Sequence, residues 1–305
     1  TDTHTEGIIE SSGYIKDIEI RVGEKQKNLP IEIWVNKPNR VKLSIVSPSG
    51  EVIDNLEAKN TNNERIKFLS EGTEMIVNFT SPELSTGDSL IFIRAYNLKA
   101  GIWKFRLTGQ SIVDGKYYAW IPQRELLDSE TKFLNSVGYT TLTLSSTSSG
   151  AISVAYYNQD DNSVISESGR GYTRYGMIKP DIAAGGFNAI VTNPGGGTAV
   201  ISGSSVAGAV VAGCCALILQ WAVVDKNYPD IYAAQIKSYI ISGAKGRPGD
   251  VYPNKEWGYG MFDMQGVFDR IRETYSPRSD EDYEEYRVNN LFIRMPKYRH
   301  NRTIN

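Results

Sequence analysis

The residues best placed for chemistry lie in the stretch Ile201-Ser202-Gly203-Ser204-Ser205-Val206-Ala207-Gly208. A Gly-Ser-Ser turn there leads directly into an apolar, small-residue segment predicted to be a helix. That places a hydroxyl at a helix N-terminus, where unpaired backbone N–H groups and the positive end of the dipole favour developing negative charge. A nucleophilic serine at this point could attack an acyl carbon and hold the resulting oxyanion with its own N–H. The pattern also serves a plainer purpose, with Ser204 or Ser205 as an N-cap. Spacing alone favours the cap.

Composition narrows the remaining options. The chain has 305 residues, with Lys+Arg 33 against Asp+Glu 35 and a formal net charge of -2. Without a basic excess, binding to nucleic acid through phosphate neutralisation is not expected. Cys214 and Cys215 are adjacent and close no useful cross-link, so they read as small buried hydrophobes. Two cysteines and two histidines leave little for a structural zinc site. Pro194-Gly195-Gly196-Gly197 lacks the Lys-Ser/Thr of a phosphate loop and reads as a turn. Thr1 to Gly13 has neither the charged nor the apolar region of a secretory signal.

The elements that must position the serine differ between the two halves. Ile18–Val22, Ile31–Val35, Val41–Val46, Glu74–Phe79, Ser89–Ala95, Gly101–Leu107 and Lys116–Ile121 alternate apolar and polar residues, with turn sequences between them. Seven or eight short strands of this kind predict an antiparallel β-sandwich of jelly-roll type. Its polar residues converge on no motif, so a folding or shielding role is expected. A boundary falls between Pro122 and Tyr139. After it, strand candidates at Ala151–Ala155, Lys179–Gly186 and Thr198–Ile201 alternate with helix candidates at Val206–Val224, Ala233–Ser242 and Met264–Thr274, which is an α/β pattern. The uncharged run Val206–Val224 has the length of a membrane span. Its Gly and Ala content, Gln220 and the lack of a preceding basic residue favour a tightly packed globular helix instead. Ser279–Tyr286 reads as a charged linker, Asn290–Pro296 as an apolar segment that docks back, and Lys297–Arg302 as a basic terminus. The expected division is a sandwich over 1–130, an α/β part over 131–275, and a linker and tail over 276–305.

Three segments together carry a resemblance. Lys179-Pro180-Asp181-Ile182-Ala183-Ala184-Gly185-Gly186, then Gly203-Ser204-Ser205-Val206-Ala207 with Ala212-Gly213 beyond it, then Trp257-Gly258-Tyr259-Gly260 resemble the C-terminal half of a subtilisin-like serine protease. Gly169-Arg170-Gly171 also fits. The resemblance spans Ala151 to Arg272. It implies Ser205 as nucleophile, preceded by Gly203 and Ser204, with Lys179, Pro180 and Asp181 supporting the motif. Ser204 stands where the family has Thr, Gly185 where it has Pro, and Ala209 where it has a second Pro. A jelly-roll ahead of the nucleophile is similar to the Csp-type clostridial subtilases, which process a cortex-lytic precursor in spore germination. The fold class expected is therefore mixed: a jelly-roll-like sandwich followed by the C-terminal portion of an α/β subtilisin-like domain.

In that family the general-base His, its Asp and an oxyanion Asn precede the insert. Neither His4 nor His300 occupies the corresponding place. Asp181 is structural in the family pattern rather than a substitute base. The segment Thr1–Gly7 could directly follow the family's Gly-Asn segment. The expectation is a serine endopeptidase fragment, inactive alone, that gains its His, Asp and Asn from an N-terminal fragment of the same protease and acts on a protein or peptide substrate. The resemblance implies no required cofactor. Ca²⁺ is common in the family, but no ligand cluster here identifies a site. Two other readings remain: a pseudoprotease that binds and regulates, and a sandwich whose Trp34, Tyr96, Trp103, Tyr117, Tyr118 and Trp120 stack on sugars. At strand spacing those rings are more often core.

Overall fold

A computed structural model describes residues 2–57, 63–275, 283–288 and 291–296. The alternating segments of the first half send successive side chains to opposite faces and so form half-buried strands. In chain order these are β1 (His4–Ile8), β2 (Ile15–Val22), β3 (Asn28–Val35), β4 (Arg40–Val46), β5 (Val52–Leu56) and β6 (Glu64–Phe68). β7 (Thr73–Thr80), β8 (Ser89–Tyr96), β9 (Gly101–Ser111), β10 (Lys116–Trp120) and β11 (Lys132–Phe133) follow. They make two antiparallel sheets in the orders β1-β10-β3-β8-β7-β6 and β11-β2-β9-β4-β5. Ile20, Ile33, Leu43, Ile93, Trp103 and Phe105 lie in the core between them.

Each run expected from the sequence falls within one of these strands, except that Ile121 lies one residue past the end of β10. β5 and β6 were not expected, because only Leu56 and Phe68 of them are fully buried, Ile53 and Ile66 are half-buried, and the remaining residues are polar or exposed. β2 pairs with β9 and β3 with β8, so the two halves of the sandwich wrap antiparallel around each other. β4 pairs with β5, and β7 lies between β6 and β8.

The second half packs three helices on a small sheet. β12 (Val154–Asn158) pairs antiparallel with β13 (Ser163–Val164) and parallel with β14 (Ile182–Gly185). A separate hairpin of β15 (Ala189–Thr192) and β16 (Thr198–Ile201) precedes the first helix. That helix, α1 (Ser204–Leu219), is followed by a wider turn of helix over Gln220–Val224, so the expected run to Val224 changes its winding partway. α2 (Ala233–Ser242) and α3 (Met264–Tyr275) complete the core, in which Tyr156, Ile182, Val211, Ile218, Ile240 and Val267 meet. Cys214 is buried and Cys215 only partly so, and both are free thiols.

Beyond α3, Tyr283–Tyr286 of the expected charged linker belong to a strand in an antiparallel hairpin of β17 (Tyr283–Val288) and β18 (Leu291–Pro296), while its residues 279–282 lie outside the described residues. Tyr286 and Val288 alternate with Glu285 and Arg287, a short strand pattern beside an acidic run. His300 and the basic run Lys297–Arg302 lie outside the described residues.

The two halves meet on the outer face of the six-stranded sheet. The strand register sets His4 beside Trp120, and Tyr118 beside Trp34. The His4 ring stacks on Trp120 at 4.7 Å, and Tyr118 stacks on Trp120 at 5.9 Å. Trp120 Nε1–H donates to the Thr140 carbonyl at 2.9 Å, and the Arg174 guanidinium lies over Trp34 at 4.4 Å. Of the six rings in the sugar-stacking reading, Tyr96 alone is exposed. Trp103 and Tyr117 are core, and Trp34, Tyr118 and Trp120 serve the contact between the halves.

Candidate active site

α1 begins at Ser204, with Gly203 as its N-cap residue and no capping side chain. This corrects the N-cap alternative, because both serines have entered the helix. Gly203 sits at φ 150 and ψ 163, a region open essentially to glycine alone, and there the extended strand β16 turns sharply into the helix. Ser205 is therefore the second helical residue. Its N–H belongs to the group that no helix carbonyl can reach. Val206 N–H and Ala207 N–H both turn back to the Gly203 carbonyl, at 3.1 and 3.4 Å. Ser204 and Ser205 are exposed, whereas Val206 and Ala207 are buried against the sheet. The departures at Gly185 and Ala209 leave this helix start intact.

Lys179 and Asp181 form a buried ion pair rather than a proton relay. Lys179 Nζ lies 2.7 Å from Asp181 Oδ2, and Lys237 Nζ of α2 lies 2.9 Å from Oδ1. Ser153 N–H also donates to Oδ2, at 2.7 Å. Lys179 Nζ gives a further bond to the Ala151 carbonyl at 2.8 Å. Burial pushes the Lys179 ammonium below its usual range, opposed by the Asp181 carboxylate. With two ammonium groups and a backbone donor on it, Asp181 is committed to holding the entries of β12 and β14 together. Tyr259 N–H donates to the Asp181 carbonyl at 3.0 Å, and Ala183 N–H to the Gly260 carbonyl at 2.9 Å, so the Trp257–Gly260 segment docks on the same strand. Lys237 and Ser153 carried no signal in the sequence, because the pairing depends on how α2 and β12 pack.

An open cleft of about 920 Å³ lies between the halves. Ser204, Ser205 and Gly208 line one side, Ser153, Glu167, Gly169 and Pro180 another, and Thr3, Arg124 and Glu125 the sandwich side. Arg124 donates to the Asp128 and Thr131 carbonyls at 2.6 and 2.7 Å. His4 follows a cleft residue, yet its ring is fully buried on Trp120. Burial lowers its pKa to about 4, against smaller raising effects from Val137 and Tyr139. The imidazole therefore contributes packing. Among the described residues, no group of three or more His, Cys, Asp or Glu is placed to hold a metal ion.

Residues 132–260 match the Subtilase family model. The Arabidopsis thaliana subtilisin-like protease SBT6.1 is 30% identical over 172 residues, which is 52% of this chain and 16% of that protein. The second half of the chain is subtilase-like. The structure of the Clostridium perfringens CspB protease superposes with a TM-score of 0.81 at 27% identity, covering 91% of this chain and 58% of that one. The chain therefore resembles the Csp-type subtilases through both of its halves, and it spans less than two thirds of either relative.

Proposed function

We propose that this chain carries the nucleophile of a serine endopeptidase that processes a protein precursor. The observation that carries the reading is Ser205 at the second position of α1, exposed in a cleft, with its N–H free to bind an oxyanion. Ser205 Oγ attacks the scissile carbonyl carbon while a general-base histidine takes the hydroxyl proton. The carbonyl electrons move to oxygen, which the Ser205 N–H and a second donor stabilise. The tetrahedral adduct collapses with cleavage of the C–N bond, and the histidine returns its proton to the departing amine. Water then hydrolyses the acyl-serine by the same path. In this reading no metal or organic cofactor takes part.

The histidine, its orienting carboxylate and the second oxyanion donor come, in our reading, from an N-terminal fragment of the same protease. α1 supports this. It has no charged residue, and a helix apolar on all sides is one that expects cover on all sides. Its buried face packs on β12 and β14, while Val210 and Leu217 are 45% and 41% exposed. The segment Ser204–Val224 is long and apolar enough to cross a membrane by length and composition. Its packing on the sheet argues for protein cover instead of lipid. A spore-germination setting follows from the Csp resemblance.

The test is peptide hydrolysis by this chain combined with the upstream fragment. The proposal expects turnover that Ser205→Ala abolishes while the assembly persists. An assembly that forms stably and never turns over would establish the pseudoprotease instead.

A further inference from the structure

We infer that Arg174 is a positioning residue that uses the sandwich to fix one wall of the cleft. It lies in the segment between Gly169 and Pro180, both of which line the cleft. A tight turn presents it: Gly176 N–H donates to the Thr173 carbonyl at 2.9 Å, and Met177 N–H to Thr173 Oγ1 at 3.0 Å. From this turn Arg174 crosses to the outer face of the six-stranded sheet. Its guanidinium sits 4.4 Å from the Trp34 ring centroid, 5.9 Å from that of Tyr118 and 4.6 Å from that of Tyr175. Its Nη1 donates to Asp88 Oδ2 at 2.8 Å. Tyr175 Oη–H donates to the same oxygen at 2.7 Å, and Lys37 N–H to Asp88 Oδ1 at 2.9 Å.

The Arg174 and Asp88 side chains are each only 10% exposed. A charge pair this shielded, set against aromatic faces, holds more firmly than a surface pair. Both anchors belong to the sandwich, and the segment they hold runs from one cleft-lining residue to another. The sandwich thereby sets the width of the cleft at Gly169 and Pro180, although it supplies no reacting group. The consequence for activity rests on the Ser205 reading, whereas the mechanical claim does not.

Amide hydrogen exchange of the 305-residue chain tests the mechanical claim. Arg174→Ala should speed exchange over 170–178 about ten-fold, with the sandwich core strands unchanged. Arg174→Lys keeps the charge and loses the planar fork and stacking, so about three-fold is expected. Wild-type exchange over 170–178 in Arg174→Ala, or equal acceleration in both halves, would overturn the claim. If Arg174→Ala does not fold, Tyr175→Phe removes one bond to Asp88 and should give about two-fold over the same segment. No change there would contradict the clamp. In the assembled protease, Arg174→Lys should raise KM for a peptide about five-fold with kcat unchanged. A fall in kcat alone would contradict the positioning role. An assembly without peptidase activity would remove the Ser205 reading and leave the exchange result to decide the clamp.

Discussion

Gly186 and Gly203 touch backbone to backbone. Gly203 N–H donates to the Gly186 carbonyl at 2.8 Å, and a Cβ on Gly186 would come within 2.7 Å of the Gly203 carbonyl oxygen. The end of the Lys179–Gly186 segment thus sets the height of the turn from which Ser205 projects. Gly186→Ala should push that turn away, costing about 2 kcal/mol of stability. Probe labelling of Ser205 in the assembled protease should fall at least about ten-fold. Gly203→Ala should act similarly through its backbone angles, at about 1–3 kcal/mol. Urea denaturation and a labelling time course measure the two effects.

Asp181→Asn should be among the most damaging isosteric changes in the chain. The Lys179 and Asp181 side chains are 1% and 4% exposed, and Lys237 shares the same carboxylate. Removing the charge leaves the buried Lys179 ammonium without its counter-charge, at a cost of about 3–5 kcal/mol. Urea denaturation of the purified variant checks this. A loss below about 1 kcal/mol would show that the pair is not buried as described.

His4 gives the sandwich a pH dependence. Its folded pKa of about 4 lies below the ordinary 6.5. The unfolded chain therefore takes up the proton first as pH falls through 6.5, and the contribution of the neutral ring is lost between there and about 4. The full linkage is about 3 kcal/mol. Glu6 Oε2, 3.9 Å from Nε2, offsets part of it once the ring is charged. His4→Phe removes the titration. Stability of the wild type relative to His4→Phe should fall from pH 7 to pH 4.5. Parallel pH profiles would contradict the assignment.

The exposed face of α1 separates folding from assembly. Leu217→Asp adds a charge at a site that is 41% exposed, so the 305-residue chain should lose no more than about 0.5 kcal/mol. The same change should abolish co-purification with the N-terminal fragment. Unimpaired association would place the covering surface elsewhere.

The sandwich strands were legible where one face is buried, as in β3 and β8. β5 and β6 escaped because they carry few buried residues. The place of Ser205 in the first turn of a helix was legible because a Gly-Ser-Ser turn enters a small-residue segment. The choice between cap and nucleophile was not legible from spacing, since it depends on where Gly203 ends the extended backbone. Lys179 and Asp181 could be read as structural, yet their third partner Lys237 becomes apparent only when α2 packs beside β12. The Arg174 clamp left no local trace, because Asp88 lies 86 positions away in the chain.

A fluorophosphonate probe followed by peptide mapping addresses the nucleophile itself. The protein is incubated with the probe in the presence of its N-terminal fragment, and the adduct is located by tandem mass spectrometry. One adduct on Ser205, absent in Ser205→Ala and absent when the N-terminal fragment is withheld, is the predicted result. An adduct on another residue, or none in a verified assembly, would contradict the assignment of Ser205 as the nucleophile.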